Sequence, residues 1–158
     1  AEPSRHTTVP RATATQFRPP PDAPAEQHEG TGFTFTTPTG WARSPKWGER
    51  NDGLIVDSEG NQITIYIFEQ DEPRSRCQKE LKALEVWVPG AISELPDRKI
   101  DGKLAPGGQL DGTRETYQMR CALANRSIYN ISLEIKNGDV EKSTAALDEV
   151  LDSWKWKS

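Results

Sequence analysis

The chain has 158 residues, a length that suits one domain, and a formal net charge of −4. Its lysines and arginines are scattered rather than clustered, which argues against a nucleic-acid surface. No apolar run approaches the ~18 residues of a membrane-spanning helix, so membrane attachment would fall to an N-terminal anchor not present in this chain.

Residues 1–30 hold 6 of the 12 prolines and both histidines, His6 and His28, but none of the five tryptophans. Proline fixes φ and lacks an N–H, so "RPPPDAPA" favours extended polyproline II. So little apolar surface cannot offset the entropy of ordering. Residues 1–30 are therefore expected to form a disordered Pro/Thr/Ala-rich tether, with 31–158 a single α/β domain. A spacer holding that domain off a membrane or wall suits the composition. Both histidines read as solvated. The first residue is Ala1 rather than Met, which predicts a lost upstream segment; a removed export signal fits.

"GFTFTTPTGW" opens the domain, with Phe33 and Phe35 alternating as in a half-buried strand. "LIVDSEGNQITIYIFEQ" predicts a hairpin turning at Ser58–Asn61. Apolar groups on both faces of its second arm suggest an inner strand. In "EPRSRCQKELKALEVWVPG" the period changes. Cys77, Leu81, Leu84 and Val88 recur at helical spacing, and Glu72–Pro73 suits a helix start. "LPDRKIDGKLAPGGQLDG" is turn-rich, with a short strand near Lys99–Leu104 and Pro106–Gly108 as a turn. "TRETYQMRCALANRSIYNISLEI" predicts a long hairpin joined by "ANRS". Tyr117, Met119, Cys121 and Leu123 form one row, and Tyr129, Ile131, Leu133 and Ile135 the matching row. Asp139 is a candidate N-cap, followed by a stripe through Val140, Thr144, Leu147, Leu151 and Trp154. "WKW" then leaves as a short extended end. This order implies an α+β fold, mainly antiparallel sheet flanked by helices.

Cys77 and Cys121 are the two cysteines. An even count in an exported protein favours a disulfide; the alternative is two buried free thiols. With both histidines in the tail, histidine triads, Cys–His pairs and histidine metal sites are not expected. Asp57, Glu59 and Asn61 have alternating oxygens but lack the glycine and terminal glutamate of a calcium loop, so they read as a turn. Asn125-Arg126-Ser127 and Asn130-Ile131-Ser132 match the glycosylation triplet, a pattern frequent by chance. The candidate contact surface is "GWARSPKWGER", where Trp41 and Trp47 flank Arg43 and Lys46 in a loop. The alternative, favoured for Trp41, is that these tryptophans plug the edge of the core. Trp87, Trp154 and Trp156 are expected to pack.

The opening "GFTFTTPTGW", the "DGKLA" turn, the hairpin ending "YNISLEI" and the closing "LDSWKW" resemble the PsbP-like superfamily. Within it, the chain is most similar to the LpqN/LpqT-type lipoproteins of actinobacteria. The resemblance spans about residues 31–158 and implies an α/β/α sandwich with binding or accessory work rather than catalysis. Members include photosystem assembly factors, a nuclear Ran-binding protein and envelope lipoproteins. The lipidated cysteine of such lipoproteins is not in this chain.

The expected protein is a non-catalytic extracytoplasmic binding or accessory domain, tethered at the cell envelope, with no cofactor and no metal. Its expected partner is an envelope protein or a cell-wall component, and no nucleic acid. The alternatives are a carrier of a small apolar or lipid ligand, and a carboxylate-based glycan hydrolase.

Overall fold

A computed structural model describes residues 17–157. Two sheets and two helices build it. The larger sheet has seven antiparallel strands in the order β3-β4-β5-β9-β8-β7-β6. These are β3 (Trp41–Arg43), β4 (Gly53–Asp57), β5 (Gln62–Glu69), β6 (Gly90–Ile100), β7 (Lys103–Gly112), β8 (Thr116–Ala124) and β9 (Ser127–Ile135). The smaller sheet has β2 (Phe33–Thr36) between β1 (Gln27–Gly30) and β10 (Lys155–Trp156). Helix α1 (Pro73–Glu85) covers one face of the large sheet. Helix α2 (Val140–Ser153), with the small sheet, covers the other.

The expected fold class holds, and the pairing of β5 with β9 explains the layering. The chain leaves β5 mid-sheet, crosses one face through α1, and starts again at the far edge with β6. It then returns strand by strand until β9 lies against β5, from Gln62↔Glu134 to Glu69↔Ser127. Inner strands bury both faces. Ile63, Ile65, Ile131 and Leu133 join Phe33, Phe35, Leu147, Leu151 and Trp154 on the α2 side. Cys121, Met119, Leu110 and Ile128 meet Cys77 and Leu81 on the α1 side. The two rows expected to match across the β8–β9 hairpin therefore face opposite layers, because Cys121 stands opposite Asn130 and Ala122 opposite Tyr129.

Both helices start where expected. The Glu72 carboxylate accepts from the amides of Arg74 and Ser75 with Pro73 following, and the Asp139 side chain accepts from the amide of Glu141. The α2 stripe is rotated from the expected one. Val140 is exposed, and Ser143, Ala146, Leu147, Val150 and Leu151 are buried.

Three expectations change. First, residues 17–30 are not a free tail. The Gly40 amide donates to the Ala23 carbonyl (2.8 Å), the Thr37 amide to Glu26 (2.8 Å), and Gln27–Gly30 pairs with β2. A proline-rich composition denies local structure, but an extended segment can still satisfy an open strand edge. Residues 1–16, with His6, lie outside the described residues. Second, the turn-rich stretch before β8 is a long hairpin, β6–β7, turning at Asp101–Gly102. Pro96 is tolerated on β6 because that strand is an edge and bulges between Leu95 and Arg98. Third, Pro106–Gly108 is strand, not turn. Gly107 and Gly108 permit close approach: a Cβ would sit 2.4 Å from the Met119 carbonyl oxygen at Gly107, and 2.4 Å from Leu81 Cδ1 of α1 at Gly108.

Candidate functional site

The expected contact residues are divided between core and surface. Trp41 opens β3 and is 5% exposed, a core residue. Trp47 packs against the same core, stacked on Phe35 at 6.0 Å, with the Arg43 guanidinium 4.3 Å above its ring. Lys46 is exposed and turns to a different groove, shared with Arg18 and Lys136. His28, expected to be solvated, lies on β1 beside Phe35 and Trp47. Burial holds its pKa below the ordinary imidazole value.

The expected turn at Asp57–Asn61 is built around Asn61. Its side chain bonds Asp57 Oδ2, the Asn137 carbonyl and the amides of Lys136 and Asn137. Of the two glycosylation triplets, Asn125 is exposed in a turn and Asn130 is buried beneath α1. Among the described residues, no group of three or more His, Cys, Asp or Glu is placed to hold a metal ion. No described helix is long and apolar enough to cross a membrane.

Cys77 and Cys121 form a disulfide, with Cα atoms 5.8 Å apart. It staples α1 to β8 at the middle of the sheet, and a groove opens on each side of the helix. One lies between α1 and the β6–β7 hairpin. It is about 360 Å³ and is lined by Leu81, Ile92, Gly107 and Gly108, with Arg74 and Lys82 on the helix.

The other groove, about 380 Å³, lies between the C-terminal half of α1 and the exposed ends of β5, β9 and β8. Strand alternation puts Thr64, Tyr66, Met119, Tyr117, Ser132 and Glu134 on its floor, and Glu80 and Leu84 form its wall. Trp87 stands on the rim and is 83% exposed, with Val86 beside it at 75%. Packing was expected for Trp87; the structure puts it in solvent. Helix α1 stops at Glu85, and the Leu84 carbonyl accepts from both the Trp87 and Val88 amides. That tight exit carries Val88 inward against the core, and the indole is left outside.

At the floor the Tyr117 hydroxyl lies 2.8 Å from Glu134 Oε2 and 3.1 Å from Glu115 Oε2. Burial, then the facing Glu115, pushes the Glu134 carboxyl up to about 7. Glu115, outside and better solvated, is held below its ordinary value by its bond to Glu134. Burial and these carboxylates raise the Tyr117 phenol, and burial with Glu134 and Glu80 raises Tyr66. Both carboxyls lie within hydrogen-bond distance of the one Tyr117 hydroxyl. Sequence reasoning missed this cluster, although the two-residue turn at Asn125–Arg126 fixes Tyr117 opposite Glu134.

These layers define a PsbP-like α/β/α sandwich. Solved structures with the same fold include cyanobacterial PsbP (CyanoP) from Synechocystis sp. PCC 6803, at TM-score 0.62 and 14% identity over 85% of this chain and 94% of that one. LpqN, involved in cell envelope biogenesis of Mycobacterium tuberculosis, superposes at TM-score 0.59 with 14% identity, covering 85% and 91%. A point mutant of the protein Mog1 superposes at 0.54 with 14% identity, covering 84% and 96%. No family model and no curated protein sequence matches the chain.

Proposed function

We propose that this chain is a non-catalytic, extracytoplasmic accessory domain of the cell envelope that docks a partner protein on its α1 face. The observation that carries this is Trp87, a large aromatic left 83% exposed on the rim of a formed groove. Tryptophan anchors of this kind dominate binding energy at interfaces, and an isolated fold gains nothing by exposing one. The Cys77–Cys121 disulfide supports an oxidising compartment. The likeness to LpqN, itself involved in cell envelope biogenesis, points the same way. Residues 1–16 would serve as the spacer that leaves the domain free to reach its partner.

The test is capture from a crosslinked envelope extract with three baits: the native chain, Trp87→Ala and Trp47→Ala. Capture of one protein by the native and Trp47→Ala baits, and its loss with Trp87→Ala, supports docking on the α1 face. Loss with Trp47→Ala alone returns the site to the Trp41–Trp47 segment. A second reading, carriage of a small apolar ligand, is favoured by the largely apolar groove between α1 and β6–β7. A co-purifying lipid in native mass spectra, absent from an Ile92→Asp variant, would support it.

A further inference from the structure

The groove under Trp87 has a definite charge and shape. Three aromatic side chains, Tyr66, Trp87 and Tyr117, line it together with two carboxyl groups, Glu80 and Glu134, and no lysine or arginine is among its lining residues. The nearest cations approach from outside: Arg76 pairs with Glu80 at 3.2 Å along the helix, and Lys136 with Glu134 at 3.7 Å. Both pairs are partly buried, and neither cation is among the residues that line the groove. Burial first, and then the facing Glu134 and Glu80, raise the Tyr66 phenol. A groove lined by aromatic side chains together with two carboxyl groups suits a cation that is flat or apolar along its stem. Beyond the groove the apolar surface continues over Val86, 75% exposed, which a small free ion would leave uncovered.

We infer that this groove receives a basic side chain, best an arginine, presented by an extended segment of the partner protein with apolar residues on either side. The guanidinium lies against the Trp87 and Tyr66 side chains and bonds Glu134 in its ionised form, the carboxyl releasing its proton to solvent on binding, and the flanking residues cover Val86. This inference rests on docking at the α1 face and specifies the chemistry of what docks there.

The test is a titration of the isotope-labelled full chain, followed by NMR, with three probes. They are a blocked pentapeptide with arginine between two leucines, the same peptide with glutamate at the centre, and choline chloride. The arginine peptide is expected to shift the Trp87 indole and the amides of Tyr66, Tyr117 and Glu134. Its affinity should fall about tenfold in Glu134→Gln, which keeps an acceptor for the Tyr117 hydroxyl, and by a similar factor in the surface variant Trp87→Ala. No shift with the arginine peptide, or equal shifts with the glutamate peptide, overturns the inference. Tighter binding of choline than of the peptide overturns the peptide segment as occupant. If Trp87→Ala loses its captured protein and the arginine peptide still shifts nothing, α1-face docking stands and the basic segment falls. If the peptide binds but capture survives Trp87→Ala, docking itself has failed.

Discussion

Tyr117 on β8 and Glu134 on β9 stand directly opposite each other, and the phenol oxygen lies 2.8 Å from the carboxyl at the floor of the groove beneath Trp87. The pair joins a half-buried acid to a phenol that burial and the same acid keep protonated. It gives the α1 face a titratable floor.

Stability should register that acid. The folded Glu134 holds its proton up to about 7 against an ordinary 4.5. Between those values the folded state binds more protons than the unfolded state, so the contribution of Glu134 is present below pH 4.5 and lost as pH rises through 7. Glu115, shifted downward, acts at the acid end of the range. The groups facing Glu134 are Tyr117 and Glu115 at β8, Tyr66 on β5, Glu80 on α1 and Lys136 after β9. Urea unfolding at pH 5, 6, 7 and 8 should show the native chain losing stability relative to Glu134→Gln across that window. Parallel curves would exclude the shift.

The disulfide closes a separation of 44 residues. Replacing both Cys77 and Cys121 by serine should cost about 3–4 kcal/mol in urea unfolding. The loss should be largest for protection of α1 and β8 amides against hydrogen exchange, because the bond joins those two elements. The native chain should show no thiol reactive toward a dithiobenzoate reagent even after unfolding without reductant.

The tryptophans should separate sharply. Trp154 is 1% exposed and stacked on Phe33 at 4.6 Å and Phe35 at 5.6 Å. Trp154→Ala should cost about 3–5 kcal/mol. Trp87→Ala should change stability by less than about 0.5 kcal/mol and remove most of the fluorescence quenched by acrylamide. A large stability loss in Trp87→Ala would mean the indole packs after all.

The two β7 glycines should differ in cost. At Gly107 an added methyl meets the Met119 backbone oxygen, which cannot move without parting β7 from β8. At Gly108 it meets the end of the Leu81 side chain, which can rotate. Gly107→Ala should therefore destabilise by about 1–3 kcal/mol, and Gly108→Ala by less, with widening of the groove beside α1. Thermal unfolding with NMR of Leu81 would check both.

The two grooves were only partly legible in the sequence. The alternation that places Tyr117 and Glu134 on one face was there to be read, since Asn125 and Arg126, both at positive φ, make the tight turn that sets the register. Glu115, two residues before Tyr117, joins through the same hairpin, but Tyr66 joins only because β5 pairs with β9, a contact between segments about 65 residues apart that no local pattern encodes. Trp87 was misplaced because tryptophan after a helix usually packs, and the exit geometry at Leu84 decided otherwise.

What the residues determined by themselves is local. Alternating apolar side chains made β5, β8 and β9, and Glu72–Pro73 and Asp139 started the helices, because those preferences act within a few residues. The paired cysteines were readable as a disulfide for a different reason, their even number. What only the tertiary structure decided is which edges meet. Open strand edges drew in Gln27–Gly30 despite its proline-rich neighbours, and pairing with β6 and β8 made Pro106–Gly108 strand rather than turn. In each case hydrogen bonds and packing supplied by distant segments outweighed an intrinsic preference of about 1 kcal/mol per residue.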